Sequence, residues 1–256
     1  MRILSWNVNG IRAVEKKGFL QWLNTEQPDI LCVQETRAQK EQLKKELVEP
    51  EGYFTYWAHA LEKKGYSGVG IFTKEKPLNV SIGLGNKKYD TEGRTLVAEY
   101  EDMILFNIYF PNGNVGTDRL KYKLEFYDIF LRRIQKEKEK GKIILVCGDV
   151  NTAHTEIDLS RPKENSTVSG FLPVERAHLD KWIKNGLVDT YRMFNKEGGN
   201  YTWWDMKTGA RQRNVGWRLD YFFVDNEHRS KIKDAFILKD VYGSDHCPVG
   251  VRVDRS

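Results

Sequence analysis

The side chains able to do chemistry in this chain stand at the ends of apolar runs. Trp6-Asn7-Val8-Asn9-Gly10 ends one run, Val33-Gln34-Glu35 a second and Tyr109-Phe110-Pro111-Asn112 a third. Gly148-Asp149-Val150-Asn151 ends a fourth, and Trp217-Arg218-Leu219-Asp220-Tyr221 puts an acid in an apolar context. Gly243-Ser244-Asp245-His246 precedes the last run. The set comprises the acids Glu35, Asp149, Asp220 and Asp245, the amides Asn7, Asn112 and Asn151, the phenol of Tyr109 and the imidazole of His246. Carboxylate and amide oxygens are hard donors that suit Mg²⁺ or Mn²⁺. An Asp–His pair suits phosphate binding or proton transfer, because the carboxylate fixes the tautomer and raises the imidazole pKa. Together these parts fit metal-assisted phosphodiester cleavage.

Taken singly, each residue also has a structural reading. Asn7 or Asn9 beside Gly10 is turn chemistry. Glu35 is a first-turn helix acid, and Asp149 caps a turn through its own carboxylate. Asp220 is half of a buried ion pair with Arg218, and His246 is a satisfied core histidine. Other chemistries fit less well. The chain has no Gly-x-Ser-x-Gly elbow, no phosphate-loop motif and no His-Glu-x-x-His. Gly65, Gly68 and Gly70 lack the spacing of a dinucleotide fingerprint. Cys32, Cys147 and Cys247 form no Cys-x-x-Cys, and their number is odd, which disfavours a disulfide framework or a zinc knuckle. Cys247 and His246 are adjacent, so in a strand they point to opposite faces and do not cooperate.

The elements that must position these residues are short. Strands are expected at 2–8, 29–34, 68–73, 95–100, 104–109, 143–147, 219–224 and 249–253, each rich in β-branched and aromatic residues and bounded by turn formers. Leu120, Leu124, Tyr127, Leu131 and Ile134 mark one face of a long helix, with Thr117 or Asp118 as its cap and Gly141 beyond its end. A second helix runs from Pro173 to Asn185-Gly186. Two more are expected at about 14–26 and 37–48. The mixed order favours an α/β layered domain with a mixed sheet, or two sheets packed face to face with helices outside. The segments 110–118 and 152–172 are long and polar enough to be functional loops, and the charge run 136–142 is a solvated helix end.

The chain has 256 residues, 40% hydrophobic and 30% charged, which excludes a disordered protein and allows one domain, 1–256. With 41 basic and 36 acidic side chains its net charge is +5, which permits a phosphate-rich partner. No apolar run reaches membrane-spanning length, and residues 1–6 show no signal-peptide pattern, so a cytoplasmic protein with no membrane partner is expected.

Longer segments resemble the exonuclease III family of abasic-site (AP) endonucleases, within the endonuclease/exonuclease/phosphatase fold. They are Ser5–Arg12, Cys32-Val33-Gln34-Glu35-Thr36, Gly65-Tyr66-Ser67-Gly68-Val69, Tyr109–Asn112, Gly148–His154, Ser169-Gly170-Phe171-Leu172-Pro173, Tyr201-Thr202-Trp203-Trp204, Asn214–Tyr221 and Gly243–Pro248. Gly-Asp-x-Asn and Ser-Asp-His belong to the wider fold, whereas the Asn214–Tyr221 and Gly-Phe-Leu-Pro segments belong to the DNA-repair branch. The resemblance covers essentially the whole chain. It implies a four-layer α/β sandwich of two mixed β-sheets flanked by helices, with the site at one end.

In function it implies a Mg²⁺-dependent nuclease, with Mn²⁺ able to substitute. Such an enzyme cuts duplex DNA 5′ of abasic sites, has 3′→5′ exonuclease and 3′-end repair activity, extends to damaged bases and works as a monomer. Glu35 would be the principal metal ligand, with Asn7 beside it and Asp245 nearby. Asp149 would take the proton of the attacking water or supply one to the leaving oxygen, two roles that need opposite protonation states. Asn151 would orient the water or the phosphate. His246, held by Asp220, would bind a phosphate oxygen as a cation, and Tyr109 and Asn112 would contact the same phosphate. Arg12, Lys64, Gly65, Tyr66 and Asn165 would contact the DNA backbone, and Trp203 and Trp217 would wall the pocket for the abasic sugar.

Three positions depart from the pattern. Asn9 stands where some relatives have Asp, Asn114-Val115 where some place an Arg, and Trp203 where some have Phe. No N-terminal regulatory segment is expected. Two rival readings are a same-fold phosphatase or phosphodiesterase acting on inositol or lipid phosphates, and a non-catalytic DNA-binding module.

Overall fold

A computed structural model describes residues 1–114 and 116–255 of the chain. The strands in chain order are β1 (Arg2–Asn7), β2 (Ile30–Gln34), β3 (Phe54–Ala58), β4 (Val69–Thr73), β5 (Asn79–Ile82), β6 (Thr95–Glu99) and β7 (Met103–Tyr109). They continue with β8 (Ile143–Asp149), β9 (Leu187–Asp189), β10 (Trp203–Trp204), β11 (Gly216–Trp217), β12 (Asp220–Asp225), β13 (Ile232–Ile237) and β14 (Val249–Val253). One six-stranded sheet has the order β13-β14-β1-β2-β4-β3 and the other β5-β6-β7-β8-β12-β9. Each is mixed: β1 and β2 are parallel in the first, β7 and β8 in the second, and the neighbouring pairs are antiparallel.

Burial explains the layering. Ile3, Ile30, Cys32 and Ile71 from one sheet pack against Leu105, Leu145, Cys147 and Phe222 from the other, giving a dry core between them. Cys32 and Cys147 are buried in that core as free thiols. The alternate strand residues face outward and would be exposed on a bare sheet. Leu4, Trp6, Leu31 and Val33 are covered by the helices Ile11–Glu15 and Phe19–Glu26. Phe106, Ile144, Val146 and Phe223 are covered by the helices Thr117–Lys138 and Pro173–Lys184. The result is helices, sheet, sheet, helices: the expected four-layer α/β sandwich. No helix among the described residues is long and apolar enough to cross a membrane.

The local readings need corrections. The expected helix at 14–26 is two helices broken at Gly18, whose left-handed backbone (φ 94°) ends the first turn run. The expected helix at 37–48 is only a 3₁₀ turn, Lys40–Gln42, and one helical turn, Lys45–Val48. The long helix starts at Thr117, but its cap is Gly116, with no side-chain capping bond. The charged segment 136–142 is, as expected, a largely exposed helix end, where Lys140 and Lys142 both pair with Glu99 on β6.

The parallel pairs determine where the site lies. In each sheet the two central parallel strands deliver their C-terminal ends to the same edge. Asn7 and Gln34 are register partners there, as are Tyr109 and Asp149. Antiparallel β12 begins at that edge with Asp220, the register partner of Asp149. The segment before β14 brings Asp245 and His246 to the same place.

Candidate active site

The end of β8 owes its shape to Gly148. Its backbone has φ 136°, and a Cβ there would lie 1.8 Å from the Ile108 carbonyl oxygen, so only glycine lets the strand pass β7 and present Asp149. Asp149 Oδ1 then accepts from the Asn151 N–H at 2.8 Å, which fixes Asn151 in the left-handed region (φ 55°). Asn151 Nδ2 donates to the Phe110 carbonyl at 2.9 Å, and Asn112 Nδ2 donates to Asn151 Oδ1 at 3.2 Å.

At the end of β2, Glu35 also has a left-handed backbone, φ 55°. For such a residue this costs about 1–3 kcal/mol, so the surroundings must enforce it. They do: Gly10 N donates to the Glu35 carbonyl at 2.8 Å, and Thr36 N donates to the Gly68 carbonyl at 3.1 Å. A Cβ on Gly68 would collide with Thr36 Oγ1. The turn pushes the Glu35 carboxylate out over Asn7, whose Nδ2 donates to Glu35 Oε2 at 3.0 Å and to Asp149 Oδ2 at 2.8 Å. Arg37 pairs with the other oxygen, Oε1.

His246 Nδ1 donates to Asp220 Oδ2 at 2.8 Å, while its Nε2 lies 3.8 Å from Asp149 Oδ2. Burial disfavours the imidazolium, but Asp220, Asp149 and Asp245 outweigh it and raise its pKa to about 10. Burial and the nearby Asp220 charge raise the Asp149 carboxyl to about 7, against the lowering pull of His246. Asp245 remains below its ordinary value despite burial, because His246 and three hydrogen-bond donors hold its charged form. Burial and Glu35 push the Tyr109 phenol well up, so it is a donor at neutral pH.

These groups floor one cleft of about 640 Å³, lined by Glu35, Tyr109, Asn112, Asp149, Asn151, Asn165, Trp203, Trp217, Asp245 and His246 among others. Asn7 and Asp220 lie behind the floor, fully or nearly fully buried. The suggested Asp220–Arg218 pair does not form: Arg218 binds Asp158 and Asp189, both at 2.7 Å. Nor is His246 merely a core residue, since its ring lines the cleft. Arg12 and Gly65 lie apart from that floor, in an adjoining groove with Lys16, Lys17 and Lys44. Lys64 is exposed, and the Tyr66 hydroxyl accepts from Arg94 at 2.9 Å and Arg119 at 2.8 Å. Of the departing positions, Asn114 lines the cleft, whereas Val115 lies outside the described residues.

Several functional neighbours escaped the sequence reading. Arg37 on Glu35 is one. Another is the fully buried Lys123–Glu175 pair, in which Lys123 donates to the Asn151 carbonyl at 2.8 Å and to Glu175 at 2.6 Å. Only a Lys inside an apolar helix face hinted at it.

A hard divalent cation fits this donor set. Glu35 and Asp245 supply carboxylates, Asn7 and Asn9 supply amides, and Asn9 Oδ1 is a buried acceptor without a donor among the described residues. Among the described residues no three His, Cys, Asp or Glu side chains cluster as a cage. Mg²⁺ does not need one, because it keeps several waters and takes one or two carboxylates plus substrate phosphate.

Comparison with known proteins agrees with the geometry. Residues 4–246 match the family described as Endonuclease/Exonuclease/phosphatase family. The chain is 43% identical over 251 residues to a Bacillus subtilis (strain 168) protein named exodeoxyribonuclease, covering 97% of this chain and 98% of that one. It is 42% identical to a Dictyostelium discoideum protein named DNA-(apurinic or apyrimidinic site) endonuclease, covering 99% of this chain and 71% of the other. A solved structure of an AP endonuclease from Archaeoglobus fulgidus superposes with a TM-score of 0.89 at 27% identity, covering 99% of both chains.

Proposed function

Since the chain belongs to the endonuclease/exonuclease/phosphatase family, we propose that it hydrolyses the DNA phosphodiester 5′ of abasic sites, using Mg²⁺, with Mn²⁺ able to substitute. It is a metal-dependent, phosphodiesterase-type nuclease of the exodeoxyribonuclease and AP endonuclease kind. The further activities read into the same cleft are 3′→5′ exonuclease action, repair of blocked 3′ ends and incision 5′ of damaged bases. The observation that carries the reading is the convergence of Glu35, Asp149 and His246 on the floor of a cleft whose wall is Trp203 and Trp217. We read 1–256 as one domain acting as a monomer; the two sheets that carry Glu35 and Asp149 share one intersheet core, which supports the single domain. A single unfolding transition and the mass in solution check that.

In this mechanism water attacks the phosphorus, a P–O bond to the water oxygen forms, and the bond to the 3′ oxygen of the upstream nucleotide breaks. Asn151 orients the water. Asp149 takes its proton or supplies one to the departing oxygen, and a carboxyl raised to about 7 has both forms available near neutrality. His246, held cationic by Asp220, binds a non-bridging phosphate oxygen, and Tyr109 and Asn112 donate to the same phosphate. Charge on that phosphate grows in the transition state, so donors already aimed at it lower the barrier. Glu35, Asn7 and Asp245 would hold the cation, which when bound supplies Lewis-acid neutralisation of phosphate charge. Arg12, Lys64, Gly65, Tyr66 and Asn165 grip the backbone, which makes binding fall steeply with salt. A nucleotide without a base is extruded at little stacking cost and enters the Trp203–Trp217 pocket, from which an intact base is excluded by size.

The test is incision of a labelled duplex carrying one abasic analogue, against the same duplex without it, in Mg²⁺ and in EDTA. One Mg²⁺-dependent cut immediately 5′ of the lesion is expected. Full activity in EDTA would remove the metal, and tight binding without any cut would leave a DNA-binding module.

A further inference from the structure

The pocket wall and the carboxylate beside the cation site are parts of one ribbon. Trp203 and Trp217 are register partners on β10 and β11, with rings edge to face at 6.4 Å. The ribbon continues on both sides, because Leu159 bridges to Trp217 and Trp203 bridges to His246. Trp204 N also donates to the Asp245 carbonyl at 3.1 Å. A side-chain bond closes the link: Trp203 Nε1 donates to Asp245 Oδ2 at 3.0 Å. The opposite oxygen, Oδ1, accepts from Asn9 Nδ2 at 2.9 Å and Ser244 Oγ at 3.1 Å.

Three donors therefore fix the plane of the Asp245 carboxylate, and one of them is a wall of the pocket. Phenylalanine at position 203 would wall the pocket equally but has no N–H to give. Asn9 contributes an amide N–H where an aspartate would bring another anion, so here every hydrogen bond that steers the carboxylate comes from a neutral donor. We infer that Trp203 is a positioning residue for the cation site: its indole N–H orients Asp245, and thereby couples the lesion pocket to metal binding. This rests on the reading that Asp245 helps hold the cation. Groups that orient a metal's ligands commonly govern about 10–100-fold of its affinity.

The experiment is calorimetric titration of Mn²⁺ alone, without DNA, into the wild-type protein and the variants W203F, W217F and D245N. Circular dichroism verifies that each is folded. Mn²⁺ binding is expected to weaken about 10-fold in W203F and more in D245N, and to be unchanged in W217F. A wall residue with no role toward the cation would leave metal binding in the absence of DNA untouched, so wild-type affinity in W203F would overturn the inference. Equal weakening in W203F and W217F would also overturn it, by assigning the effect to ribbon packing rather than to the indole N–H. Wild-type affinity in D245N would overturn it together with the assignment of Asp245. Loss in D245N with none in W203F would overturn the Trp203 role and leave that assignment standing.

Discussion

Asp149 and Asp220 stand directly opposite each other on adjacent antiparallel strands, and His246 lies against both. Two carboxylates side by side in a buried place repel each other, and the imidazole is what makes the arrangement tenable. Asp220 Oδ1 is buried with no donor among the described residues, and Asp220 meets His246 through Oδ2. In D220N the imidazole loses its counter-charge while the shape is kept. Turnover is expected to fall about 10²–10³-fold, the usual effect of removing one transition-state donor. Single-turnover incision measures it. Wild-type turnover in D220N would remove the imidazolium from the mechanism.

Asp149 is the more severe case. Its carboxyl is buried and both oxygens are engaged, Oδ1 by Asn151 N and Oδ2 by Asn7. Asparagine matches its volume and removes an anion that burial disfavours, but its NH2 would face the donors that now serve Oδ2, so D149N should stay folded and melt modestly below wild type. Cleavage should be abolished, because an amide neither takes nor gives the proton, while binding to an abasic duplex should persist. Thermal melting, gel-shift and incision assays together check this. Near-normal cleavage would exclude Asp149 as the proton carrier.

The strand-end residues were legible in the sequence for a physical reason. Parallel central strands are buried on both faces, so Arg2–Asn7, Ile30–Gln34, Met103–Tyr109 and Ile143–Asp149 read as continuous apolar runs, and whatever polar residue follows them is conspicuous. The strands Phe54–Ala58, Asn79–Ile82 and Ile232–Ile237 lie at sheet edges and are largely half-buried or exposed, which erases that pattern. The ribbon strands Trp203–Trp204 and Gly216–Trp217 are too short to show any periodicity. What joins the site could not be read at all. Arg37 on Glu35, Trp203 on Asp245 and Lys123 on Asn151 are contacts whose partners only the tertiary structure reveals.

Trp217 packs edge-on to Phe171 at 6.4 Å as well as to Trp203, and a Cβ on Gly170 would lie 3.2 Å from its ring. It therefore shapes the wall, while its half-exposed face looks into the cleft. W217A should weaken binding to abasic duplex more than to plain duplex if, as proposed, only the lesion uses the pocket. Fluorescence-anisotropy titrations on the two duplexes decide it. An equal loss on both would assign Trp217 to the core.

Arg218, next to the site strand, is fully buried and held by Asp158 and Asp189. Asp158 also pairs with Arg192. Burial works against the Asp158 carboxylate, but Arg218 and Arg192 more than compensate and depress its pKa far below the ordinary carboxylate value of 3.8. The folded form thus binds this proton less readily than the unfolded chain. The pairing contributes its full stability above the unfolded value and loses it as pH falls from about 4 toward the depressed pKa. D158N leaves Arg218 and Arg192 short of one anion and should cost about 3 kcal/mol at neutral pH, the low end for breaking a buried pair, because Asp189 remains. Below about pH 3 the deficit relative to wild type should shrink, since the unfolded parent then gains the proton that its folded ion pair still refuses. Urea unfolding of both proteins at pH 7 and near pH 3 checks the sign. A deficit that stays constant across that range would mean that the carboxylate charge is not what Arg218 needs from Asp158.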